Sequence, residues 1–239
     1  MLDIRDQWND VMTTSDVIPI NNYIPHQVEN MERSRKILLD WLLEVAAEYS
    51  ISSRAYIRSQ VIIDRYFSIN KNIDKNIYQL IGVTAIWIGS KIEDPYVCSI
   101  HDLSYITDHT YTTEQIAEME INLLRSLDMD LFFPISTTLL YEYVKQMDMT
   151  DNQIEEAKFL LVYTTFNIDL MKYHPSILCL CVCVLVIGHE ALVGNDKDDD
   201  IVKCMREMVE WLSKGLDENL GNLNAVKEWN LTLNTVRYK

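Results

Sequence analysis

The chain has 239 residues, of which 48% are apolar, and it contains only 6 glycines and 5 prolines. That length suits one large domain or two small ones, and the scarcity of the turn residues that all-β folds need favours a helical class. The formal net charge of -15 repels phosphates and anionic lipid heads, which argues against a nucleic-acid-binding or membrane-surface protein.

The cysteines argue against a disulfide framework. They number five, and Cys179, Cys181 and Cys183 crowd into one apolar run. A reducing compartment, nuclear or cytoplasmic, is therefore expected. Alternate residues of a helix point about 200° apart, so these cysteines cannot share a zinc ion and are predicted to be small core residues. The apolar run from 177 to 188 is shorter than the ~20 residues of a membrane span, which favours a buried helix.

The first half of the chain predicts helices of two kinds. Residues 1–30 are expected to form a short N-terminal helix and an extended connector. Apolar side chains then recur at three- and four-residue steps over Ser34–Tyr49 and Ala55–Ile69, as in amphipathic helices. Ile77–Ile92 is apolar all round, which is typical of a central helix with neighbours on several sides.

Two capping boxes mark further helix starts. Thr112–Gln115 and Thr150–Gln153 both place a threonine three residues before a glutamine, so each side chain satisfies a backbone donor of the first turn. The first box predicts a helix reaching Leu127 and the second a helix reaching Leu170. Pro175 is tolerated in a first turn and is predicted to open the cysteine-rich apolar helix.

The second half of the chain repeats the layout of the first. Helices are also predicted over 137–147, 201–212 and 223–234, with an acidic loop at 194–200. Residues 31–134 and 135–239 thus form two blocks of some five helices each, and in both blocks the third helix is the all-apolar one. The fold class predicted is all-α with two tandem five-helix domains, although the blocks share no residue-level repeat.

The sequence lacks the motifs of common catalytic sites. It contains no glycine-rich phosphate loop, no HExxH and no GxSxG, and its histidines are scattered. The acidic run Asp198–Asp200 lacks the alternating ligands, glycine and closing glutamate of an EF-hand loop. We therefore expect a protein that is not an enzyme and that needs no metal or cofactor.

A set of segments in the first block resembles the cyclin box, particularly that of A/B-type cyclins. Five segments follow one another in the family's order, namely SRKILLDWLLEV (34–45), IDRYF (63–67), QLIG with SKIED (79–94), YITD with YT (105–112), and ME with LDMDL (119–131). Their spacing is the family's, apart from one residue more than the cellular A-type pattern between Asn70 and Asn76. The resemblance covers residues 31–134, whereas the second block resembles the C-terminal cyclin box in helical layout alone. It implies a cell-cycle regulator that forms a heterodimer with a cyclin-dependent protein kinase.

Two of the residues that mark the box carry opposite charges in helices expected to pack together. Arg35 and Asp64 would be half-buried there, and removing one member of such a pair costs about 3–5 kcal/mol. The resemblance implies that they pair with each other and hold the box together.

The marker residues Lys91 and Glu120 are expected to act differently. In cyclins the matching lysine and glutamate reach outward and form hydrogen bonds with the kinase. The alternative is a salt bridge between Lys91 and Glu120 within the chain. Five apolar residues match the family's kinase-facing positions, and the alternative for each is core packing: Ile88, Ile92, Leu124, Met129 and Leu131.

The resemblance also implies a mechanism. A protein kinase needs its C-helix glutamate paired with the lysine that holds the ATP phosphates. A cyclin supplies a rigid helical wall that stabilises the active position of that helix and of the activation loop, and thereby shifts a conformational equilibrium. The alternative is a cyclin-fold scaffold or adaptor that binds partners without activating a kinase.

A second expected site is the groove that docks substrates and inhibitors carrying an Arg-x-Leu motif. The matching positions are Ile37, Leu38, Trp41, Glu44 and Gln79. An exposed apolar slot with one acid suits an arginine-plus-leucine peptide. Ser34 replaces the methionine that leads the family motif, so the groove is expected to be altered and weaker.

The short segment that precedes the box suggests a subgroup of the cyclin family. Cellular A/B-type cyclins carry a long N-terminal tail with a destruction signal, whereas about thirty residues precede the box here. The only nearby RxxL pattern, Arg35–Leu38, lies inside the first predicted helix. The sequence is either a trimmed piece or a short cyclin like those of gammaherpesviruses, which would act in the nucleus or cytoplasm of the host cell.

Overall fold

The computed structural model describes residues 29–70, 72–188 and 200–225. All regular secondary structure within those ranges is helical. The predicted lead over 1–30, nearly all of the predicted acidic loop and most of the predicted last helix lie outside the described residues.

The described chain separates into two compact units. Of the described residues, the first comprises 29–70, 72–132 and 223–225, and the second comprises 133–188 and 200–222. The helices of the first unit are α1 (Glu29–Glu48), α2 (Ser53–Ile69), a 3₁₀ turn (Lys75–Ile77), α3 (Tyr78–Glu93), α4 (Ile100–Ile106) and α5 (Thr113–Ser126). Those of the second unit are α6 (Ser136–Met147), α7 (Asp151–Thr164), a 3₁₀ helix (Ile168–Lys172), α8 (Pro175–Ile187), α9 (Asp200–Ser213) and α10 (Gly215–Leu220).

Helix α3 is the centre of the first unit. It packs against α1, α2 and α5, and most of its side chains are buried. Two glycines allow this close packing. A Cβ atom on Gly89 would lie 2.5 Å from the carbonyl oxygen of Ala55 in α2, and one on Gly82 would lie 2.7 Å from Cδ1 of Leu38 in α1. The small residues of this apolar segment therefore set how closely the helices approach.

Helix starts follow the local cap chemistry. Both predicted capping boxes are present, with the side chains of Thr112 and Thr150 accepting backbone N–H groups at the third helical positions. Pro175 lies in the first turn of α8, whose residues from Pro175 to Val184 are all buried, the three cysteines among them. No helix in the described ranges is both long and apolar enough to cross a membrane.

Helix α7 is shorter than predicted. The apolar pattern continues to Leu170, but the α-helix ends at Thr164. The hydroxyl groups of Thr164 and Thr165 donate to carbonyl oxygens three residues back, at 2.8 and 2.7 Å, and such bonds compete with the helical ladder. Asn167 then caps the separate 3₁₀ helix by accepting the N–H of Asp169. No bounds were predicted for α4, the fourth helix of its block, and α10 was not among the predicted helices.

Residues 223–225 return to the first unit. The carboxylate of Asp40 on α1 accepts the backbone N–H groups of Asn224 and Ala225, both at 3.1 Å. Asp40 and Ala225 are buried, so the hydrogen bond from Ala225 is shielded from water, whereas the one from exposed Asn224 is only partly buried. Asp40 thereby joins α1 to a segment whose residues Asn224 and Ala225 lie 184 and 185 residues further along the chain.

We predict that Gly89→Ala destabilises the protein by about 1–3 kcal/mol, because the added methyl group would meet a backbone carbonyl that cannot rotate away. Gly82→Ala is the matched control, since its methyl group would meet the end of a leucine side chain. The free energy of unfolding, measured in urea, should fall more for Gly89→Ala. Equal values for both variants would contradict the close approach of α2 and α3.

Candidate functional site

The first unit contains a fully buried ion pair between α1 and α2. Arg35 donates through Nε and Nη2 to the two carboxylate oxygens of Asp64, both at 2.7 Å. Gln60 also donates to this carboxylate. Burial acts to lower the pKa of the Arg35 guanidinium, but the charge and hydrogen bonds of Asp64 outweigh it, so that this pKa is raised. The structure thus brings Arg35 and Asp64 together inside the unit, away from any partner surface.

A second buried guanidinium holds the end of α3. Arg58 on α2 forms an ion pair with Glu93 and donates through Nη1 to the carbonyl oxygen of Leu131 at 2.6 Å. Two turns further along α2, Arg65 bonds both the carbonyl and the carboxylate of Asp130 at 2.7 Å. Arginines of one helix therefore fix the last turn of α3 and the segment that follows α5.

Sequence reasoning missed Arg58 and Arg65. A signal for Arg58 was present, because it lies three and four residues before Val61 and Ile62 on the apolar stripe of α2. A charged residue on such a stripe is expected to be buried and paired. Its partners could not be named, because Glu93 and Leu131 lie 35 and 73 residues further along the chain.

Lys91 and Glu120 meet on the surface between α3 and α5. The Nζ atom of Lys91 lies 2.6 Å from Oε1 of Glu120, and their side chains are 37% and 21% exposed. The salt bridge that the sequence left as an alternative is therefore present in the chain without a partner. Both side chains remain accessible, so the ion pair does not exclude contact with another protein.

The apolar residues expected beside this pair divide into surface and core. Met129 is 65% exposed, and Ile92 and Leu124 are half-buried. Ile88 is 2% exposed, so it lies in the core beneath this surface instead of on it, because α3 is covered on several sides. Leu131 is buried as well, and its own carbonyl oxygen accepts the hydrogen bond from Arg58.

Ile121 is an exposed apolar residue that sequence reasoning missed. It follows Glu120 directly on α5 and is 48% exposed. The buried side of α5 consists of Ile116, Met119 and Leu123. An isoleucine outside that stripe has no core to fill, which is the signal that could have identified it.

Met129 projects from a strained turn. Asp128 and Met129 have φ angles of 52° and 59°, in the left-handed region that non-glycine residues rarely adopt. The N–H of Met129 donates to the carbonyl oxygen of Leu124 at 2.9 Å and closes the end of α5. Strain of about 1–2 kcal/mol per residue in such a turn is retained only where the surroundings enforce it, often at functional sites.

The residues predicted to form the peptide groove lie on α1 and at the start of α3. Ile37 and Glu44 are exposed, and Trp41 and Gln79 are half-buried. Leu38 is buried against Gly82, so it forms a floor and not an exposed wall. The structure therefore presents the apolar and acidic groups of the expected slot on one helix.

Comparison with known proteins identifies the class. The model of the cyclin N-terminal domain matches residues 8–132, slightly more than half of the chain. The chain therefore belongs to the cyclin family.

B-type cyclins are among its relatives. The chain is 30% identical to G2/mitotic-specific cyclin-B2 of Gallus gallus over 215 residues, which cover 85% of this chain and 53% of that protein. It is 32% identical to the cyclin-B2 of Rana japonica over 205 residues, covering 78% and 52% of the two chains. The chain thus spans about half the length of these curated relatives.

Solved structures share the fold. A viral cyclin from herpesvirus saimiri matches with a TM-score of 0.65 and 18% identity, covering 99% of this chain and 100% of that chain. A chain of the yeast RNA polymerase II CTD kinase CTDK-1 complex matches with a TM-score of 0.63 and 9% identity. The match covers 79% of this chain and 68% of that chain. At these identities the likeness establishes the fold alone.

We predict that Asp64→Asn lowers the free energy of unfolding by about 3–5 kcal/mol, because it leaves the Arg35 guanidinium buried without a countercharge. The control is Asp130→Asn, which weakens the ion pair of Arg65 with a carboxylate that is largely exposed. A loss of at most about 1 kcal/mol is expected for that variant. Chemical denaturation measures both, and similar losses would show that burial does not set the cost.

Proposed function

We propose that this chain is a non-catalytic regulatory subunit that binds and activates a cyclin-dependent Ser/Thr protein kinase. Membership of the cyclin family supports the proposal. The observation that carries it is the accessible ion pair of Lys91 and Glu120 between α3 and α5. Helix α5 also carries exposed Ile121, and exposed Met129 lies in the turn that closes its end. A solved relative of the fold comes from a kinase complex, which agrees with a kinase partner.

We also propose that each unit is one cyclin box, so that the chain has two in tandem. The central helices α3 and α8 occupy the third α-helical position of their units, and both are largely buried. Helix α8 packs against α6, α7 and α9, as α3 packs against its own neighbours. This shared arrangement supports the second box in the absence of a sequence repeat.

The surface on α3 and α5 has the composition of a protein-binding site. Apolar anchors surrounded by polar groups supply most of the free energy of such interfaces. Here Met129, Ile121, Leu124 and Ile92 are the anchors, and the charged pair would set the docking register through directional hydrogen bonds. Ile88 contributes only as support from the core.

Activation requires that the surface be rigid and selective for one kinase conformation. Arg58 and Arg65 hold the end of α3 and the turn around Met129, so the binding surface is formed before the partner arrives. Binding energy then stabilises the active position of the kinase C-helix and activation loop. Only the difference in affinity between the two kinase states counts, and converting a 1:99 mixture to 99:1 requires about 5.5 kcal/mol.

We predict that Met129→Gly reduces kinase stimulation about tenfold without destabilising the fold. Its φ of 59° suits glycine, so the change removes an exposed anchor and relieves backbone strain. Lys91→Met, which keeps the aliphatic stem, should reduce stimulation too. The assay mixes the chain with a panel of cyclin-dependent kinases and measures phosphorylation of a histone peptide, with binding measured by calorimetry.

The matched control is Val209→Ala on α9, an exposed apolar residue of the second unit that should leave stimulation unchanged. Binding without stimulation across the panel would favour the adaptor that binds without activating. An absence of binding to every kinase in the panel would refute the proposed function.

We further propose that the slot on α1 recruits Arg-x-Leu peptides more weakly than cellular cyclins do, because Ser34 supplies little apolar contact. Ser34→Met should tighten binding of such a peptide about threefold or more by burying apolar surface. Glu44→Gln should weaken it by removing the charge that faces the arginine. Fluorescence anisotropy of a labelled peptide measures both, and wild-type affinity equal to that of cellular cyclins would refute the weakening.

A further inference from the structure

An aromatic ring lies under the charged pair. The Nζ atom of Lys91 is 3.1 Å from the centre of the Trp87 ring and 2.6 Å from Oε1 of Glu120. Trp87 and Lys91 are one helical turn apart on α3, so they share one face of that helix. A lysine ammonium over an indole face is attracted by the ring's quadrupole, and tryptophan is the strongest partner for this contact.

The ring itself is held in place. The indole N–H of Trp87 donates to the carbonyl oxygen of Cys98, at 3.2 Å, in the segment between α3 and α4. Trp87 is only half-buried, whereas residues 80–86 and 88–90 of α3 are buried. Trp87 thus lies on the accessible side of an otherwise covered helix, where its ring contributes to the protein surface more than to the core.

We infer that Trp87 is a positioning residue that presets the Lys91 ammonium for a partner protein. The ring below and the carboxylate of Glu120 restrict the lysine to one orientation before binding. A lysine ammonium has three donors. One N–H of Lys91 is directed to Glu120, and the Trp87 ring covers one side of the ammonium. The remaining N–H is directed to an acceptor on the partner, a carbonyl or carboxylate oxygen.

The benefit of this arrangement is entropic. A free lysine loses much side-chain freedom when it is immobilised at an interface, and that loss weakens binding. A lysine already held by the ring has less freedom to lose. The consequence for binding rests on the proposed kinase-binding function, whereas the stack of Trp87, Lys91 and Glu120 can be tested without any kinase.

The first test is nuclear magnetic resonance of the chain alone. The ring current of Trp87 should move the Lys91 side-chain methylene protons upfield of the positions typical of exposed lysines, and Trp87→Leu should abolish that shift. Trp87→Phe keeps a smaller aromatic face but loses the indole N–H, so it should retain part of the shift. Ordinary Lys91 resonances in the wild-type chain would overturn the inference, whatever the kinase data show.

The second test is a double-mutant cycle on kinase binding. With a kinase that binds the wild-type chain, Trp87→Leu should raise the dissociation constant about 3- to 10-fold, and Trp87→Phe should raise it less. In the Lys91→Met background, Trp87→Leu should have little further effect. Circular dichroism and thermal melting confirm that each variant is folded before its affinity is measured.

The outcomes separate the two proposals. An equal effect of Trp87→Leu with and without the Lys91 ammonium would show that Trp87 acts independently of Lys91 and would overturn positioning. If Lys91 shows the ring-current shift and no kinase in the panel binds, the proposed function fails, and with it the role of Trp87 in binding. The shift together with a non-additive cycle supports both.

Discussion

A buried guanidinium has to find its acceptors inside the protein, and the first unit meets that demand twice along α2. Asp64 receives Arg35 from α1, and Arg58 reaches Glu93 and the carbonyl of Leu131. Burying a charge is costly unless it is paired and hydrogen-bonded, so α1, α2, the end of α3 and the segment that follows α5 must pack with these groups in contact. The packing of the end of α3 and of the segment that follows α5 depends on this requirement.

Those arginine contacts also fix the positions of the surface residues Lys91 and Met129. Lys91 lies two residues before Glu93, which Arg58 holds, and Met129 lies one residue before Asp130, which Arg65 holds. A large shift of Lys91 would disturb the buried contacts of Arg58, and a large shift of Met129 would disturb the more exposed contacts of Arg65. In the proposed complex the partner therefore meets a preformed arrangement, which lowers the entropic cost of association.

Local chemistry was the most predictable part of this protein. The capping box at Thr112 could be identified because a cap involves residues only three apart. The end of α7 at Thr164 could not, since the apolar pattern continues past it and hydroxyl back-bonding leaves no periodic signal. For a different reason the sequence could not assign Glu93 to Arg58, or tell that Ile88 belongs to the core, because both depend on contacts between distant segments.

The hydrogen bonds from Asn224 and Ala225 to Asp40 make the first unit discontinuous in sequence. The chain leaves the first unit after residue 132 and returns to it at residue 223. Residues 133–222 are therefore an insertion whose two ends are both joined to the first unit. Closing so long a loop costs chain entropy when the protein folds. A single backbone cleavage within this insertion would leave residues 223–225 and Asp40 on separate fragments. Their hydrogen bonds would then join two molecules, and the contact would depend on concentration.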